Sequence, residues 1–274
     1  MFIKFGLQDI PPLTFAGLRY FLAFLTLLPF YLWSNQRLEI VALSKKDWGS
    51  LILLGLLFYT ITQGSQFLGL VYLPAITFSL LLNGSALVVA VLGIFLLREI
   101  PTWLQWIGML IFLAGAVFFF YPFEFPSGAA LGYLIAAVHI LATSLSSIMG
   151  RGINRQKRLS SLTVTTVSMG IGSAVLLGIG LLVEEPPKLE MNGWLIIGWL
   201  AIVNTAFAFT LWNHTLRTLP ATESSVINNT MLIQISVLAW LFLGETLTLL
   251  QIAGLLLAAL GALLVQIKLG DRSK

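Results

Sequence analysis

The sequence contains no cysteine and only two histidines, and charged residues make up just 9% of its 274 residues. Without cysteine the chain can form no disulfide, no thiol nucleophile and no thiolate-bound metal site. Charged residues make up about 25% of ordinary soluble domains, so the low share here excludes a soluble enzyme and a disordered chain. The net charge of +4 comes without a basic patch interleaved with aromatics, so no nucleic-acid partner is expected.

Hydrophobic residues fill 58% of the chain and come in successive runs. Each run has about 20 residues, the length of helix that crosses a bilayer core. The runs are continuous and rich in Leu, Ala and Gly, which favours helices over the alternating strands of a barrel. The sequence therefore predicts an all-α polytopic membrane protein. Its nine predicted transmembrane helices are 12–34, 48–70, 74–97, 101–121, 127–149, 160–183, 191–212, 220–243 and 246–267.

Lysine and arginine are distributed unequally between the two ends of these helices. If the first predicted helix ends in the cytoplasm, twelve basic residues fall on the cytoplasmic side and two, Lys4 and Lys188, on the other. Positive residues are retained on the cytoplasmic side of membrane proteins. We therefore expect a multi-pass protein of the plasma or inner membrane with its C-terminus in the cytoplasm.

The chain repeats itself at a shift of 146 residues. Leucine matches occur by chance in such a chain, but Pro, Asn, Glu, Gln and Gly matches in one register do not. The matching pairs include Pro74 with Pro220, Ser79 with Ser225, Asn83 with Asn229, Glu99 with Glu245, Gln105 with Gln251, Gly108 with Gly254, and Gly115 with Gly261.

The shift displaces each helix by five spans. Because five is odd, a helix and its copy cross the membrane in opposite directions, which predicts an inverted repeat. We assign 1–121 to the first repeat, 127–267 to the second and 268–274 to a cytoplasmic tail. The span 127–149 has no partner. We therefore expect a 4+5 arrangement of a ten-helix ancestor whose first helix is absent here, through a misplaced start or a genuine loss.

Polar side chains at mid-depth are the candidates for substrate binding. Tyr59, Gln63 and Gln66 are spaced by four and three residues, so they share one helical face. Such groups either line a cavity or hold helices together by hydrogen bonds. The candidates are Tyr59, Gln63, Gln66, Ser79, Asn83, His139, Asn204, Asn228 and Asn229.

Two ionisable side chains inside the predicted helices, Arg19 and His139, are candidates for binding an anion or for coupling. Ionisable groups are costly in a bilayer and mark functional sites by default. As alternatives, Arg19 extends to the outer interface, and His139 is a neutral imidazole bonded to a hydroxyl such as that of Thr143. No metal site and no cofactor is expected.

The doubled Glu and Gly residues have a structural interpretation. Glu99 and Glu245 each precede a predicted helix, where a carboxylate satisfies free backbone N–H groups. Gly108 and Gly254 belong to small-residue stripes that suit close helix packing.

The doubled pattern of Glu99, Gln105 and Gly108, with Glu245, Gln251 and Gly254, resembles the EamA-type carriers of the drug/metabolite transporter superfamily. The resemblance covers nearly all of 1–267. It implies a ten-helix fold of two five-helix halves around a central cavity, and export or exchange of small metabolites such as amino acids.

The sequence thus predicts a secondary transporter, not an enzyme, that works by alternating access through a mid-membrane cavity. Two alternatives remain open: a multidrug or cation exporter, for which Glu223 is the nearest candidate carboxylate, and a noncatalytic membrane assembly partner. The expected partners are a small-molecule substrate and the lipid bilayer, and a homodimer is left open.

Overall fold

A computed structural model describes residues 10–122, 126–185, 191–230, 233–234 and 247–267. Its α-helices are α1 Pro12–Trp33, α2 Lys45–Gly55, α3 Gln63–Tyr72, α4 Ala75–Asn83, α5 Ser85–Leu97, α6 Trp103–Phe120, α7 Ala130–Asn154, α8 Ser161–Val183, α9 Met191–Ala201, α10 Ala208–Thr215, α11 Ala221–Asn229 and α12 Leu249–Gln266. A short 3₁₀ helix, Asn35–Ile40, follows α1.

The fold class is confirmed. Within the described residues, eight helical stretches are long and apolar enough to cross a membrane. They correspond to eight of the nine predicted helices, with ends that differ by a few residues. The ninth, predicted at 220–243, begins with α11, and most of its remainder lies outside the described residues.

The helices form two compact units, and each unit draws on both sequence repeats. The first unit combines residues up to Tyr72 with Ala129–Thr218, and the second combines Leu73–Gly128 with the residues from Leu219 onward. The first unit therefore holds α1, α2, α3, α7, α8, α9 and α10. The second holds α4, α5, α6, α11 and α12.

The helix bounds repeat at the same shift as the sequence. In each of three pairs, the second helix begins and ends 146 residues after the first, although few of the residues are identical. The pairs are α2 with α9, α4 with α11, and α6 with α12.

Within the first unit, α1 and α8 hold each other's N-terminal ends. Glu184, just after α8, accepts hydrogen bonds from the backbone N–H groups of Leu13 and Thr14 at 2.9 and 2.7 Å. Glu39, beyond the end of α1, accepts from the N–H of Ser160 at 2.8 Å. Helix starts leave N–H groups without partners, so a carboxylate that follows one helix caps the other. This reciprocity requires α1 and α8 to be antiparallel.

Within the second unit, α6 and α12 pack backbone against backbone. A Cβ built on Gly108 would lie 2.8 Å from the carbonyl oxygen of Gly261, and one on Gly254 would lie 2.7 Å from that of Gly115. As the chain advances along α6 it moves backward along α12, so the two helices are antiparallel. The second contact is the image of the first under the 146-residue shift, which makes the pair locally two-fold symmetric.

The glycines play the packing role expected for them, but Glu99 lies at a different helix start from the one predicted. Its carboxylate accepts from the N–H of Ala221, the first residue of α11, at 3.1 Å. The helix that follows Glu99 is capped instead by Thr102 and Gln105, which bond each other's backbone N–H groups. The other motif carboxylate, Glu245, lies outside the described residues.

The glycine contact predicts a stability difference between two Gly→Ala variants. A methyl group at Gly115 overlaps the backbone of Ala258, and such overpacking costs about 1–3 kcal/mol. At Gly198, inside α9, no atom of the described residues lies within 4 Å of a Cβ, and alanine there stabilises the helix by up to about 1 kcal/mol. Thermal unfolding of the detergent-purified variants measures both. Equal melting temperatures for the two variants contradict the close packing.

Candidate functional site

Each of the two long helical stretches α2–α3 and α9–α10 contains a π-helical segment. These segments are Leu56–Thr62 and Ile202–Phe207, and they begin 146 residues apart. In both, a threonine hydroxyl bonds a carbonyl five residues earlier: Thr62 to Leu57, and Thr205 to Leu200, each at 2.8 Å. π-helical turns occur often at functional sites, and here they redirect side chains near the middle of both stretches.

A buried polar cluster in the first unit lies against the second π segment. It consists of Arg19, Tyr20, Gln63 and Thr205. The Nε of Arg19 donates to the hydroxyl of Thr205 at 2.9 Å, and the guanidinium carbon lies 5.1 Å from the centre of the Tyr20 ring. The Tyr20 hydroxyl donates to the side-chain oxygen of Gln63 at 2.5 Å. Arg19 is 5% exposed, so it is buried inside the unit rather than extended to an interface.

Aromatic rings surround this polar cluster. Tyr59, from the first π segment, packs edge-to-face on Tyr20 with ring centres 5.9 Å apart, and Phe209 contacts both rings. The Tyr59 hydroxyl is buried and has no hydrogen-bond partner among the described residues. Two predicted site residues, Tyr59 and Gln63, thus lie near each other and near Arg19. Gln66, on the same stretch, is partly buried.

His139 contacts a different part of the first unit. Its Nδ1 lies 3.0 Å from the carbonyl oxygen of Thr62 and 3.2 Å from the hydroxyl of Ser65. The carbonyl contact requires the proton on Nδ1, so the ring donates there. These contacts match the structural interpretation of a bonded imidazole, with Thr62 and Ser65 as partners in place of Thr143. A coupling role for His139 stays a prediction.

A groove of about 300 Å³ runs along the first unit beside His139. Of the described residues that line it, two are polar: Ser65, which contacts the imidazole, and Thr60. The other nine are Leu13, Ile61, Gly64, Leu68, Leu134, Ile135, Val138, Leu176 and Ile179. The groove is therefore apolar and contains none of the predicted amides.

The second unit brings the two equivalent asparagines together. The amide nitrogen of Asn229 lies 3.4 Å from both the carbonyl oxygen of Asn83 and the hydroxyl of Ser85, and Asn83 donates to the carbonyl of Ser79 at 2.7 Å. Residues that are equivalent under the 146-residue shift meet here. These four residues are partly or fully buried, and they lie at the α4–α5 junction and the end of α11.

The remaining predicted site residues do not join either cluster. Asn204, in the second π segment, and Asn228, in α11, have exposed side chains. Asn204 lies near the middle of the membrane-spanning stretch Gly193–Thr215, where hydrocarbon offers an exposed amide no hydrogen bond.

Several polar contacts were missed from the sequence. Asn154 donates to Asn213 at 2.8 Å, and Asn213 donates to Thr165 at 3.0 Å, which links α7, α10 and α8. In the second unit Glu223 accepts from Gln105 at 3.1 Å and lies in the first turn of α11. Its carboxylate is therefore stabilised by an amide and by a helix start, which favours a structural role over cation binding. The one available signal was the repeat of Gln105 in the doubled motif.

The EamA-like transporter family model matches residues 1–121 and 130–267. The chain therefore belongs to this family, within the drug/metabolite transporter superfamily. It is a multi-pass membrane transporter and not an enzyme.

The relatives and a solved structure agree with this assignment. "Uncharacterized transporter YvbV" of Bacillus subtilis (strain 168) is 29% identical over 274 residues, covering 97% of this chain and 86% of that protein. "Uncharacterized transporter YoaV" of the same organism is 24% identical over 263 residues, covering 94% and 88%. A structure titled "Crystal structure of protein" shares the fold, with a TM-score of 0.81, 19% identity, and coverage of 96% of this chain and 90% of that one.

The Tyr20–Gln63 bond predicts a specific pattern in a double-mutant cycle. Gln63→Leu leaves the Tyr20 hydroxyl buried without its acceptor, which costs about 1–3 kcal/mol, whereas adding Tyr20→Phe removes the stranded hydroxyl and restores most of the stability. Thermal unfolding of the single and double variants measures this.

If Gln63 also binds solute, flux in liposomes stays low in the double variant even though its stability is restored. Normal flux there assigns Gln63 to packing alone.

Proposed function

We propose that the chain is a secondary transporter that exports or exchanges small metabolites such as amino acids by alternating access through a mid-membrane cavity. The observation that carries the proposal is the antiparallel packing of α6 against its own copy α12 in the second unit. An inverted repeat gives the two copies of an element nearly equivalent environments at opposite faces. When the two copies exchange conformations, a central site opens to the other side.

The neutral polar side chains near the π segments and at the asparagine pair favour a small solute that carries hydrogen-bonding groups. We propose as its binding groups Gln63 and Tyr59 in the first unit and Asn83 and Asn229 in the second, because they are neutral and carriers of this kind bind their substrates near the middle of the bilayer. We place the protein in the plasma or inner membrane with a cytoplasmic C-terminus, because twelve basic residues then lie inside and two outside.

A flux assay tests the proposal. Purified protein in liposomes is expected to accelerate counterflow of at least one solute from a panel of radiolabelled amino acids and related metabolites. Because Asn83 and Asn229 occupy equivalent positions and contact each other, Asn83→Ala and Asn229→Ala are each expected to lower the initial rate by about tenfold, the equivalent of 1.4 kcal/mol.

The matched control is Asn35→Ala, which changes an exposed asparagine in the 3₁₀ helix after α1. It is expected to leave flux unchanged. Flux at the level of empty liposomes across the whole panel, with folded protein present, overturns the proposal. Unchanged flux in both asparagine variants removes them from the binding site.

A further inference from the structure

Arg19 carries a positive charge in the interior of the first unit. Guanidinium stays protonated at every physiological pH, and the side chain is 5% exposed. Its contact residue Thr205 lies near the middle of the membrane-spanning stretch Gly193–Thr215. An ionisable group at that depth is retained where it has a function.

The partners of Arg19 in the described part of the chain are neutral. They are the hydroxyl of Thr205 and the ring face of Tyr20. The carboxylates of the same unit with assigned contacts are held elsewhere: Glu39 by Ser160, Asp47 by Ser44 and Arg158, and Glu184 by the start of α1. Among the described residues, no carboxylate forms an ion pair with Arg19. A buried cation without an ion pair is unfavourable until an anion reaches it.

The contacts of Arg19 also fix the direction of its guanidinium. Thr205 donates its own hydroxyl proton to the carbonyl of Leu200, so its oxygen faces Arg19 as an acceptor. Tyr20 is in turn held by Gln63. Nε is occupied by Thr205, and no described residue accepts a hydrogen bond from the two terminal nitrogens. An arginine can bind a carboxylate through two parallel hydrogen bonds from such a pair of nitrogens.

We propose that Arg19 binds the carboxylate of the transported solute, so that the substrates are small organic acids, zwitterionic amino acids among them. The inference rests on the proposed function and narrows its substrate class. It assigns Thr205 and Tyr20 as positioning residues, which orient the guanidinium without touching the solute themselves.

Pairs of probes that differ only in the acid group test this assignment. L-amino acids and 2-oxo acids are compared with the corresponding amides, at equal concentration, in two assays: thermal unfolding of purified protein in detergent and counterflow in liposomes. The acids are expected to raise the melting temperature of the wild-type protein by several degrees through binding to the folded state, and the amides are expected to leave it unchanged. Counterflow is expected to follow the same order.

Four variants sharpen the test. Arg19→Gln is expected to abolish the acid-induced shift, and Arg19→Lys, which keeps the charge but loses the fork, to weaken acid binding at least tenfold. Thr205→Val is expected to weaken acid binding about tenfold. Thr205→Ser keeps the hydroxyl and is expected to bind acids as the wild-type protein does. Arg37→Gln, which removes an exposed arginine, is the control and leaves acid binding unchanged.

The outcomes separate this inference from the proposed function. Flux of amides or amines that equals flux of acids, and is unchanged in Arg19→Gln, overturns the acid site but leaves the carrier. An Arg19-dependent shift by acids without any flux supports the acid site and counts against the carrier. If Arg19→Gln does not fold, the other variants still decide. Acid affinities of Arg19→Lys, Thr205→Val and Thr205→Ser that all equal the wild-type affinity overturn the inference.

Discussion

The antiparallel contact between α6 and α12 is the constraint on which the second unit depends. Two helices that are copies of each other meet at Gly108, Gly115, Gly254 and Gly261, and each contact has its image under the repeat. Glycine allows the backbones to touch, and in a bilayer such packing replaces the hydrophobic effect that drives helices together in water. Because the two copies are antiparallel, the duplicated sequence forms two helices that run in opposite directions.

In the first unit, hydrogen bonds at the helix ends hold α1 and α8 together. Glu39 and Glu184 cap the partner helix in each case, so α1 and α8 are fixed in register from both ends. Two neighbouring membrane-spanning stretches, α2–α3 and α9–α10, each carry a π segment. The polar side chains around Arg19 and Gln63, which we propose for solute binding, lie beside these segments: Arg19 contacts Thr205 of the second segment, and Gln63 directly follows the first.

The sequence was sufficient for the fold class, for the helix positions to within a few residues and for the 146-residue register, because bilayer length and the positions of Pro74, Pro220 and the repeated glycines constrain them directly. It was insufficient for the π segments, since a change in helical register leaves no trace in composition. It also could not show that Glu184 caps residues 170 positions earlier, or that Arg19 meets Thr205. Those contacts depend on which helices are neighbours, and a single sequence carries that information only through its repeat.

The central claim is that equivalent segments of the two repeats face opposite sides of the membrane. The chain has no cysteine, so single cysteines can be placed at Lys45 and Met191, the first residues of α2 and its copy α9, and probed in intact cells with a membrane-impermeant maleimide. The account predicts that Met191→Cys is labelled from outside and that Lys45→Cys is labelled only after the membrane is opened. Labelling of both positions from the same side would contradict it.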